Sequence, residues 1–339
     1  MAFCFPLPRL LMFLGVQLLR GILLFAVGLP AACWVLAEES GRGQTANPVR
    51  TQKEEVPVIG FVLQELGSSA YQQLEEQAKA YCEEELASGQ ARCQLISGGA
   101  LDGRDVAVQK QWFKQLLLKK VNSLVIAPVS TKALIPQLIE ARKRGIPVVN
   151  IGSRFDLQLL VRNRLQVPWV GPDNAAAART IASHLAKTLE SGDKVIILAG
   201  PPGELMSFTR VSSAKKVLGN AGVNVVAVES GQWDSDRAQA VTLRLLDKYS
   251  DLKGVFAASD NMALGAMRAG DLKGIKLKVT GFGGDPRLLD YVRTGRILAT
   301  IDWYPRQQGV YAIDKLLNGS LVDDRMTPWR LIVSSDLKD

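Results

Sequence analysis

The sequence predicts an α/β protein made of two similar lobes, each a doubly wound parallel sheet. Short apolar runs rich in β-branched residues alternate with segments of helical period from Val58 to the C-terminus. Such alternation is typical of parallel strands covered by helices. The pattern falls into two similar halves in tandem, and a chain of 339 residues has room for two lobes of ordinary size.

In the first half, the alternation begins near Pro57. The predicted strands are Val58–Leu63, Cys93–Ser97, Ser123–Ala127 and Pro147–Ile151. Helices are predicted around 70–86, through Val106 to Leu117, and over 131–144. The helix at 70–86 keeps one face apolar through Tyr71, Leu74, Ala78 and Cys82, which is the spacing of an amphipathic helix.

The second half begins with a predicted helix over 174–189. Its predicted strands are Lys194–Ala199, Val223–Val228, Val255–Ala258, Val279–Phe282 and Ile297–Ile301. In open α/β sheets ligands bind outside the carboxyl ends of the strands, so two facing lobes would share one cleft. Aromatic and charged residues follow these strand ends at Tyr71, Arg154, Arg210, Trp233, Asp260 and Trp303.

The N-terminal 37 residues have the form of an export signal. They contain no acidic residue, and an apolar stretch ends in Val35-Leu36-Ala37. We expect cleavage after Ala37 and export to the periplasm; the alternative is an uncleaved leader that anchors the chain in a membrane. Residues 38–56 are polar and are predicted to form a linker.

Two cysteines remain after the leader. Cys82 and Cys93 flank a polar stretch between a predicted helix and the next strand. In an oxidising compartment a disulfide that closes this loop is expected, and two free buried thiols are the alternative. The spacing is not a metal-binding motif, and no metal site is predicted.

Sequence motifs for catalysis or nucleotide binding are absent. No G-x-G-x-x-G follows the first strand, no G-x-x-x-x-G-K-[ST] occurs, and the lone histidine, His184, lies in a helical segment. The sequence therefore predicts no cofactor and no enzyme activity. The net charge of +8 is spread along the chain, so no nucleic-acid partner is expected.

Several segments resemble the type I periplasmic binding proteins, particularly those like the ribose-binding protein. The most specific is Val255–Ala266, followed by Gly281-Phe282 and by Gly295–Ile301; Gly171-Pro172-Asp173-Asn174 matches at the lobe crossing. The resemblance covers roughly residues 57–335. It implies lobe one over 57–171 with 304–328, lobe two over 172–303 with 329–339, and three crossings near Gly171, Trp303 and Trp329.

The resemblance also implies a set of pocket positions. These are Gln64, Ser68, Tyr71, Arg154, Arg210, Trp233, Ser259, Gly283 and Trp303. Three positions depart from the monosaccharide pattern: Gly283 stands where sugar binders have an aspartate, Ser259 where they have an asparagine, and Gly152-Ser153-Arg154 replaces their Asp-Arg. Two good acceptors for sugar hydroxyls are therefore missing.

A local resemblance points to a different ligand. Val167-Pro168-Trp169 is similar to a segment of the periplasmic trimethylamine-N-oxide sensor of the Tor system. Tyr71, Trp169, Trp233 and Trp303 would then form an aromatic cage for a methylated or cationic solute. The alternative is that the same rings stack on the apolar faces of a sugar.

Two functions follow from these resemblances. The first is a periplasmic solute-binding protein that delivers a carbohydrate or similar polar small molecule to a membrane ABC permease by hinge closure. The alternative is a sensor that presents its ligand-bound form to a membrane histidine kinase. In both cases the chain is expected to act as a monomer, and closure would be driven by ligand contacts from both lobes.

Overall fold

The structure is a computed structural model that describes residues 55–101 and 103–338. The predicted signal peptide and nearly all of the predicted linker lie outside these residues. The described chain forms two six-stranded sheets, and helices cover both faces of each. Strands and helices are numbered along the chain, and each sheet together with its helices is called a lobe.

Lobe one contains a parallel sheet in the order β11-β5-β4-β3-β1-β2. Its strands are β1 (Val58–Leu63), β2 (Gln94–Gly99), β3 (Ser123–Ile126), β4 (Val148–Ile151), β5 (Trp169–Pro172) and β11 (Arg325–Thr327). Its helices are α1 (Ser69–Glu83), α2 (Val106–Leu118), α3 (Ile135–Lys143), α4 (Leu157–Arg162) and α10 (Pro305–Leu317). Helices α1 and α10 pack on one face of the sheet, and α2 to α4 pack on the other.

Lobe two contains a sheet in the order β12-β10-β9-β8-β6-β7. Its strands are β6 (Lys194–Ala199), β7 (Asn224–Ser230), β8 (Leu252–Ala257), β9 (Lys278–Thr280), β10 (Ala299–Asp302) and β12 (Arg330–Val333). Its helices are α5 (Asn174–Ala186), α6 (Leu205–Asn220), α7 (Ser235–Lys248), α8 (Asp260–Lys273) and α9 (Pro286–Arg293), with a short 3-10 helix at Ser334–Leu337. All strand pairs are parallel except β10 with β12.

The chain crosses between the lobes three times. The crossings run from β5 to α5, from β10 to α10 and from β11 to β12. This confirms the predicted fold class of two parallel-sheet lobes joined by three segments. Because the parallel strands point their carboxyl ends towards the crossings, the loops after these ends face each other.

The central strands form because their side chains are apolar on both faces. Val195 to Leu198 of β6 are fully buried, as expected for a parallel strand between two helical layers. The sequence did not predict α4, whose six residues are too few to show a helical period. In the described part of the chain, no helix is long and apolar enough to cross a membrane.

Cys82 and Cys93 form the predicted disulfide. Cys82 lies near the end of α1, Cys93 lies one residue before β2, and both are buried. The backbone N–H of Cys93 also donates to the carbonyl of Cys82. The bridge therefore fixes α1 against the edge strand of lobe one.

We expect the Cys82→Ala/Cys93→Ala variant to lose about 2 to 3 kcal/mol of unfolding free energy, because a loop of this length no longer restricts the unfolded chain. Denaturant titration of the variant and the exported wild type measures this loss. Wild-type protein treated with a reductant is the control and should match the variant. Two alkylatable thiols in unreduced, denatured wild type would contradict the bridge.

Candidate ligand-binding site

A small cavity of about 80 Å³ lies between the two lobes. Lobe one contributes the loop after β1 and the start of α1, and lobe two contributes the first turns of α6 and the segments that follow β7 to β10. The lining residues include Gln64, Ser68, Ser69, Tyr71, Met206, Arg210, Trp233, Ser259, Asp260, Phe282, Gly283, Asp285 and Trp303. Since a water needs about 10 to 15 Å³ of such space, the cavity suits a small solute.

Trp233 forms part of the wall through an unusual backbone. Trp233 and the preceding Gln232 both have positive φ angles, 62° and 53°, which are costly for residues with a side chain. This turn lays the indole ring on Gly200, where an added Cβ would lie 2.1 Å from the ring. Strained residues are concentrated at sites where a precise side-chain position matters, so this turn makes Trp233 a candidate site residue.

Arg210 is the basic group of the cavity, and it is buried. Its Nε donates to Asn174 Oδ1 at 2.8 Å and its Nη1 to the carbonyl of Ala258 at 2.8 Å. Its guanidinium also lies 3.6 Å from the centroid of the Phe282 ring. Burial lowers the pKa of Arg210 to about 10, so it stays protonated near neutral pH, with N–H groups left for a ligand.

Asp260 is fixed at the start of α8. Its Oδ1 accepts from Thr300 Oγ1 at 2.6 Å, and its Oδ2 accepts from the backbone N–H of Asp285 at 2.8 Å. Burial raises the pKa of this carboxyl to about 7, and these hydrogen bonds oppose the rise. Asp260 is therefore a hydrogen-bond acceptor whose ionisation depends on its burial and on the two groups that donate to it.

Gly283 is a glycine because Asp260 occupies the space beside it. An added Cβ at Gly283 would lie 2.6 Å from Asp260 Oδ2. The aspartate expected here from the sugar-binding pattern would therefore clash and would place two carboxylates together. Asp285, two residues later, is a buried carboxylate that lines the cavity instead.

Glu204 joins the two lobes through one buried carboxylate. Its Oε1 accepts from Ser153 Oγ at 2.6 Å and from Gln64 Nε2 at 3.3 Å, both in lobe one. Its Oε2 accepts from Trp233 Nε1 at 2.7 Å in lobe two. Burial raises the pKa of Glu204, and the bonds from Ser153, Trp233 and Gln64 act in the opposite direction. Gln64 also accepts from the Tyr71 hydroxyl at 2.8 Å.

A second bond joins the lobes on the other side of the cavity. Ser69 Oγ at the start of α1 donates to Asp285 Oδ2 at 2.6 Å. Burial opposes the ionisation of Asp285, but hydrogen bonds from Arg287 and Ser69 outweigh it, so the pKa of Asp285 is lowered. Both lobes are therefore held together by carboxylates of lobe two and donors of lobe one.

The structure brings most of the predicted site residues to the cavity. Those that line it are Gln64, Ser68, Tyr71, Arg210, Trp233, Asp260 and Trp303. Arg154 and Trp169 do not line it. They lie in a neighbouring groove of about 260 Å³ near the β5 crossing.

Arg154 and Trp169 are held by contacts within lobe one. The Arg154 guanidinium pairs with Asp324 and lies 4.6 Å from the centroid of the Trp169 ring. The indole N–H of Trp169 donates to the carbonyl of Gly152 at 2.8 Å. An aromatic cage that includes Trp169 is therefore not formed at the cavity.

Three residues with contacts between the lobes were not predicted from the sequence: Glu204, Ser69 and Asp285. Glu204 follows Pro201-Pro202-Gly203, which is typical of a solvated turn, and nothing in that pattern indicates burial. Asp285 precedes Pro286 and caps the start of α9. Helix capping is a common reason for an aspartate at such a position, so the sequence gives no sign that Asp285 also lines a cavity. Within the described residues, no group of three or more His, Cys, Asp and Glu side chains could hold a metal ion.

The fold and the cavity define a two-lobed binding protein that takes a small molecule between its lobes. Residues 59–319 match the family described as "Periplasmic binding protein domain". The chain belongs to this family.

Among characterised relatives, the chain is 36% identical over 276 residues to the D-ribose/D-allose-binding protein of Pseudomonas aeruginosa, covering 80% of this chain and 85% of that one. It is 27% identical to the ribose import binding protein RbsB of Haemophilus influenzae, and the match covers 66% of this chain and 75% of that one. Sugar-binding periplasmic proteins of ABC transporters are thus its homologues.

Two solved structures are similar over most of the chain. An ABC transporter solute-binding protein from Burkholderia multivorans, with an unknown ligand interpreted as α-D-erythrofuranose, has a TM-score of 0.78 and 33% identity and covers 82% of this chain and 99% of that one. A periplasmic solute-binding protein of an ABC transporter from Actinobacillus succinogenes, with bound D-allose, has a TM-score of 0.77 and 26% identity. The match covers 82% of this chain and 98% of that one.

We expect the stability of the Asp260→Asn variant, relative to wild type, to increase with pH. The pKa of Asp260 is raised from 3.8 to about 7 in the folded state, so the wild type loses stability as pH rises through this range. Each pKa unit corresponds to about 1.4 kcal/mol. Over the interval between the two pKa values, the unfolding free energy of the variant should therefore rise relative to that of the wild type by an amount on the order of 4 kcal/mol.

Urea titrations of both proteins from pH 4 to pH 8 measure this trend. Asp234→Asn, which replaces the carboxylate that caps α7 by an amide away from the cavity, is the matched control. A constant difference for Asp260→Asn across the range would contradict the raised pKa.

Proposed function

We propose that this protein is the binding component of a membrane ABC importer for a small neutral carbohydrate or polyol. It is exported to the periplasm, acts as a monomer without cofactor or enzyme activity, and passes its ligand to the permease. Lobe one comprises residues 57–171 with 304–328, and lobe two comprises 172–303 with 329–339. The cavity between the lobes is the ligand site.

The observation that carries this proposal is the mixture of groups in one small interlobe cavity. Arg210 offers donors, Asp260 and Asp285 offer acceptors, and Trp233 and Trp303 offer flat apolar faces. A hydroxyl donates and accepts, so a polyhydroxylated molecule can use both kinds of partner. Its C–H faces pack against the aromatic rings.

The charges of the cavity favour a neutral ligand. Arg210 is accompanied by Glu65, Asp260 and Asp285, so an anion such as a sugar phosphate would meet several carboxylates. Arg210 likewise disfavours a simple cation. The relatives named for D-ribose and D-allose support the same class of ligand.

The alternative function as a methylamine-oxide sensor is not proposed. It rested on Trp169 as a member of an aromatic cage, and Trp169 lies outside the cavity. The homologues support transport rather than sensing.

We expect one or more neutral sugars or polyols to raise the melting temperature of the exported protein, because a ligand that binds only the folded state stabilises it. At a ligand concentration about 100 times the Kd, the shift is about 5 °C or more. The panel contains D-ribose, D-allose, D-erythrose, myo-inositol, ribose 5-phosphate and trimethylamine-N-oxide, measured by differential scanning fluorimetry. A shift with trimethylamine-N-oxide or the phosphate alone would overturn the proposal.

The Trp303→Ala variant locates the ligand. It should lose the shift produced by the best sugar, since it removes one wall of the cavity. The matched control is Trp112→Ala, which removes a tryptophan of α2 that packs on Gly98 and should keep the shift. An equal shift in the wild type and both variants would place the ligand elsewhere.

We also expect Ser153→Ala to weaken binding of that sugar. The variant removes a lobe-one donor to Glu204, and a hydrogen bond to a charged group contributes about 1.5 to 3 kcal/mol, or roughly tenfold to a hundredfold in Kd. Titration calorimetry measures the change. The control is Ser130→Ala, which loses a hydroxyl that bonds only within lobe one and should bind like wild type. Wild-type affinity in Ser153→Ala would mean that this contact does not contribute to closure.

A further inference from the structure

One edge of lobe one carries a dense group of exposed cationic side chains. They gather where α2, α3 and α4 end, which is also where the strands of this sheet begin. We call this surface the basic edge; it consists of Lys119, Lys120, Arg142, Lys143, Arg144, Arg162 and Arg164, all exposed.

Hydrogen bonds between the helix ends make the basic edge continuous. Arg144 Nη1 at the end of α3 donates to the carbonyl of Leu117 near the end of α2 at 3.3 Å. Arg142 Nη1 donates to the carbonyls of Asn163 and Arg164, just after α4, at 2.7 Å and 3.0 Å. The three helix ends therefore form one surface.

The cations of the basic edge are largely unpaired. Within the described part of the chain, Arg144 forms an ion pair with Glu140 at 2.7 Å, and none of the other six has a carboxylate partner. Cations near helix C-termini interact favourably with the helix dipole, which explains a few of them. The helix dipole does not explain why seven cations lie together with a single carboxylate partner, Glu140.

The corresponding edge of lobe two shows the contrast. There Lys194 pairs with Asp251 at 2.8 Å and Arg293 with Asp290 at 3.0 Å. Lys273 pairs with Asp247, and Arg296 with Asp271. Lobe two thus pairs four cations of this edge with carboxylates, whereas lobe one pairs one of the seven cations of the basic edge.

Exposed aliphatic side chains lie among these cations. Leu118, next to Lys119, is 64% exposed, and Val161, next to Arg162, is 76% exposed. Between α2 and α3 runs a groove of about 510 Å³ lined by Leu117, Leu118 and Pro136, with Lys110 and Lys114 at its rim.

Cations interspersed with exposed aliphatic side chains are typical of surfaces that bind anionic lipid bilayers. An acidic protein or a nucleic acid would match the charge but would leave Leu118 and Val161 without a role. We propose that the basic edge binds the surface of a membrane containing anionic phospholipids. The lysines and arginines contact the phosphate groups, and the two aliphatic side chains enter the headgroup layer.

The position of β1 agrees with this orientation. The N–H of Val58 donates to Asn122 Oδ1, in the loop that precedes β3, at 2.6 Å. The start of β1 therefore lies beside the basic edge. Binding there concentrates the protein at the membrane in which its proposed permease lies, and it does not depend on which solute the cavity takes.

The test is binding to lipid vesicles by co-sedimentation, with protein isolated from the periplasm of expressing cells. We expect binding to vesicles that contain phosphatidylglycerol, little binding to pure phosphatidylcholine, and loss of binding at high salt, where charges are screened within about 3 Å. Equal binding to both kinds of vesicle, or binding that survives high salt, would overturn the proposal.

Two matched variants locate the surface. Lys119→Gln/Lys120→Gln/Lys143→Gln removes three charges from the basic edge and should weaken binding roughly tenfold to a hundredfold. Lys253→Gln/Lys276→Gln/Lys278→Gln removes three from the equivalent edge of lobe two and should bind like wild type. Equal loss in both would show attraction by net charge alone and would refute a specific surface. Both should keep the sugar-induced melting shift, which separates this result from a failure of the proposed function.

Discussion

The buried carboxylate of Glu204 is the interaction on which the arrangement of the two lobes depends. A charge removed from water is costly unless hydrogen bonds replace its hydration. Two of the donors to Glu204, Ser153 and Gln64, belong to lobe one, and the third, Trp233, belongs to lobe two. Oε1 of this carboxylate therefore receives its hydrogen bonds only when the lobes meet, and opening the cleft must either hydrate that oxygen or leave it unpaired. Because Gln64 also bonds Tyr71 and Trp233 lines the cavity, the same contact that joins the lobes orients the walls of the ligand site.

Lobe two supplies most of the lining of the cavity, and its packing explains why Gly283 departs from the usual sugar-binding pattern. Asp260 is held by Thr300 and by the backbone of Asp285, and its carboxylate fills the space beside Gly283. A side chain at Gly283 would displace Asp260 and break those bonds. Asp285, two residues later, lines the cavity as a buried carboxylate and accepts from Ser69 of the opposite lobe. The cavity therefore has a carboxylate near Gly283 although Gly283 itself has no side chain.

The sequence predicted what local patterns determine and missed what depends on distant partners. Strands β1 and β6 lie at their predicted bounds because unbroken apolar runs have one stable environment, between two helical layers. The strand-end rule brought Tyr71, Arg210, Trp233, Asp260 and Trp303 to one cavity because topology alone fixes that edge. Glu204 was missed because its burial depends on Gln64, 140 residues away. Arg154 and Trp169 were expected at the cavity, but Asp324, far along the chain, binds both the Arg154 guanidinium and the backbone N–H of Trp169, and no local pattern reveals that pairing.

The bonds between the lobes also determine how binding energy is used. Ser153, Gln64 and Ser69 bond lobe two through protein groups alone, so they stabilise the closed arrangement independently of any solute. A ligand shifts the equilibrium between open and closed forms only by the difference in its affinity for the two. Where protein contacts already favour closure, less of the ligand's binding free energy is consumed in closing the cleft. The positive φ angles at Gln232 and Trp233 have a different effect, because the indole and the Gly200 on which it packs both belong to lobe two. Their cost in free energy is the same in the open and the closed form, so this strain shapes the wall of the cavity without opposing closure.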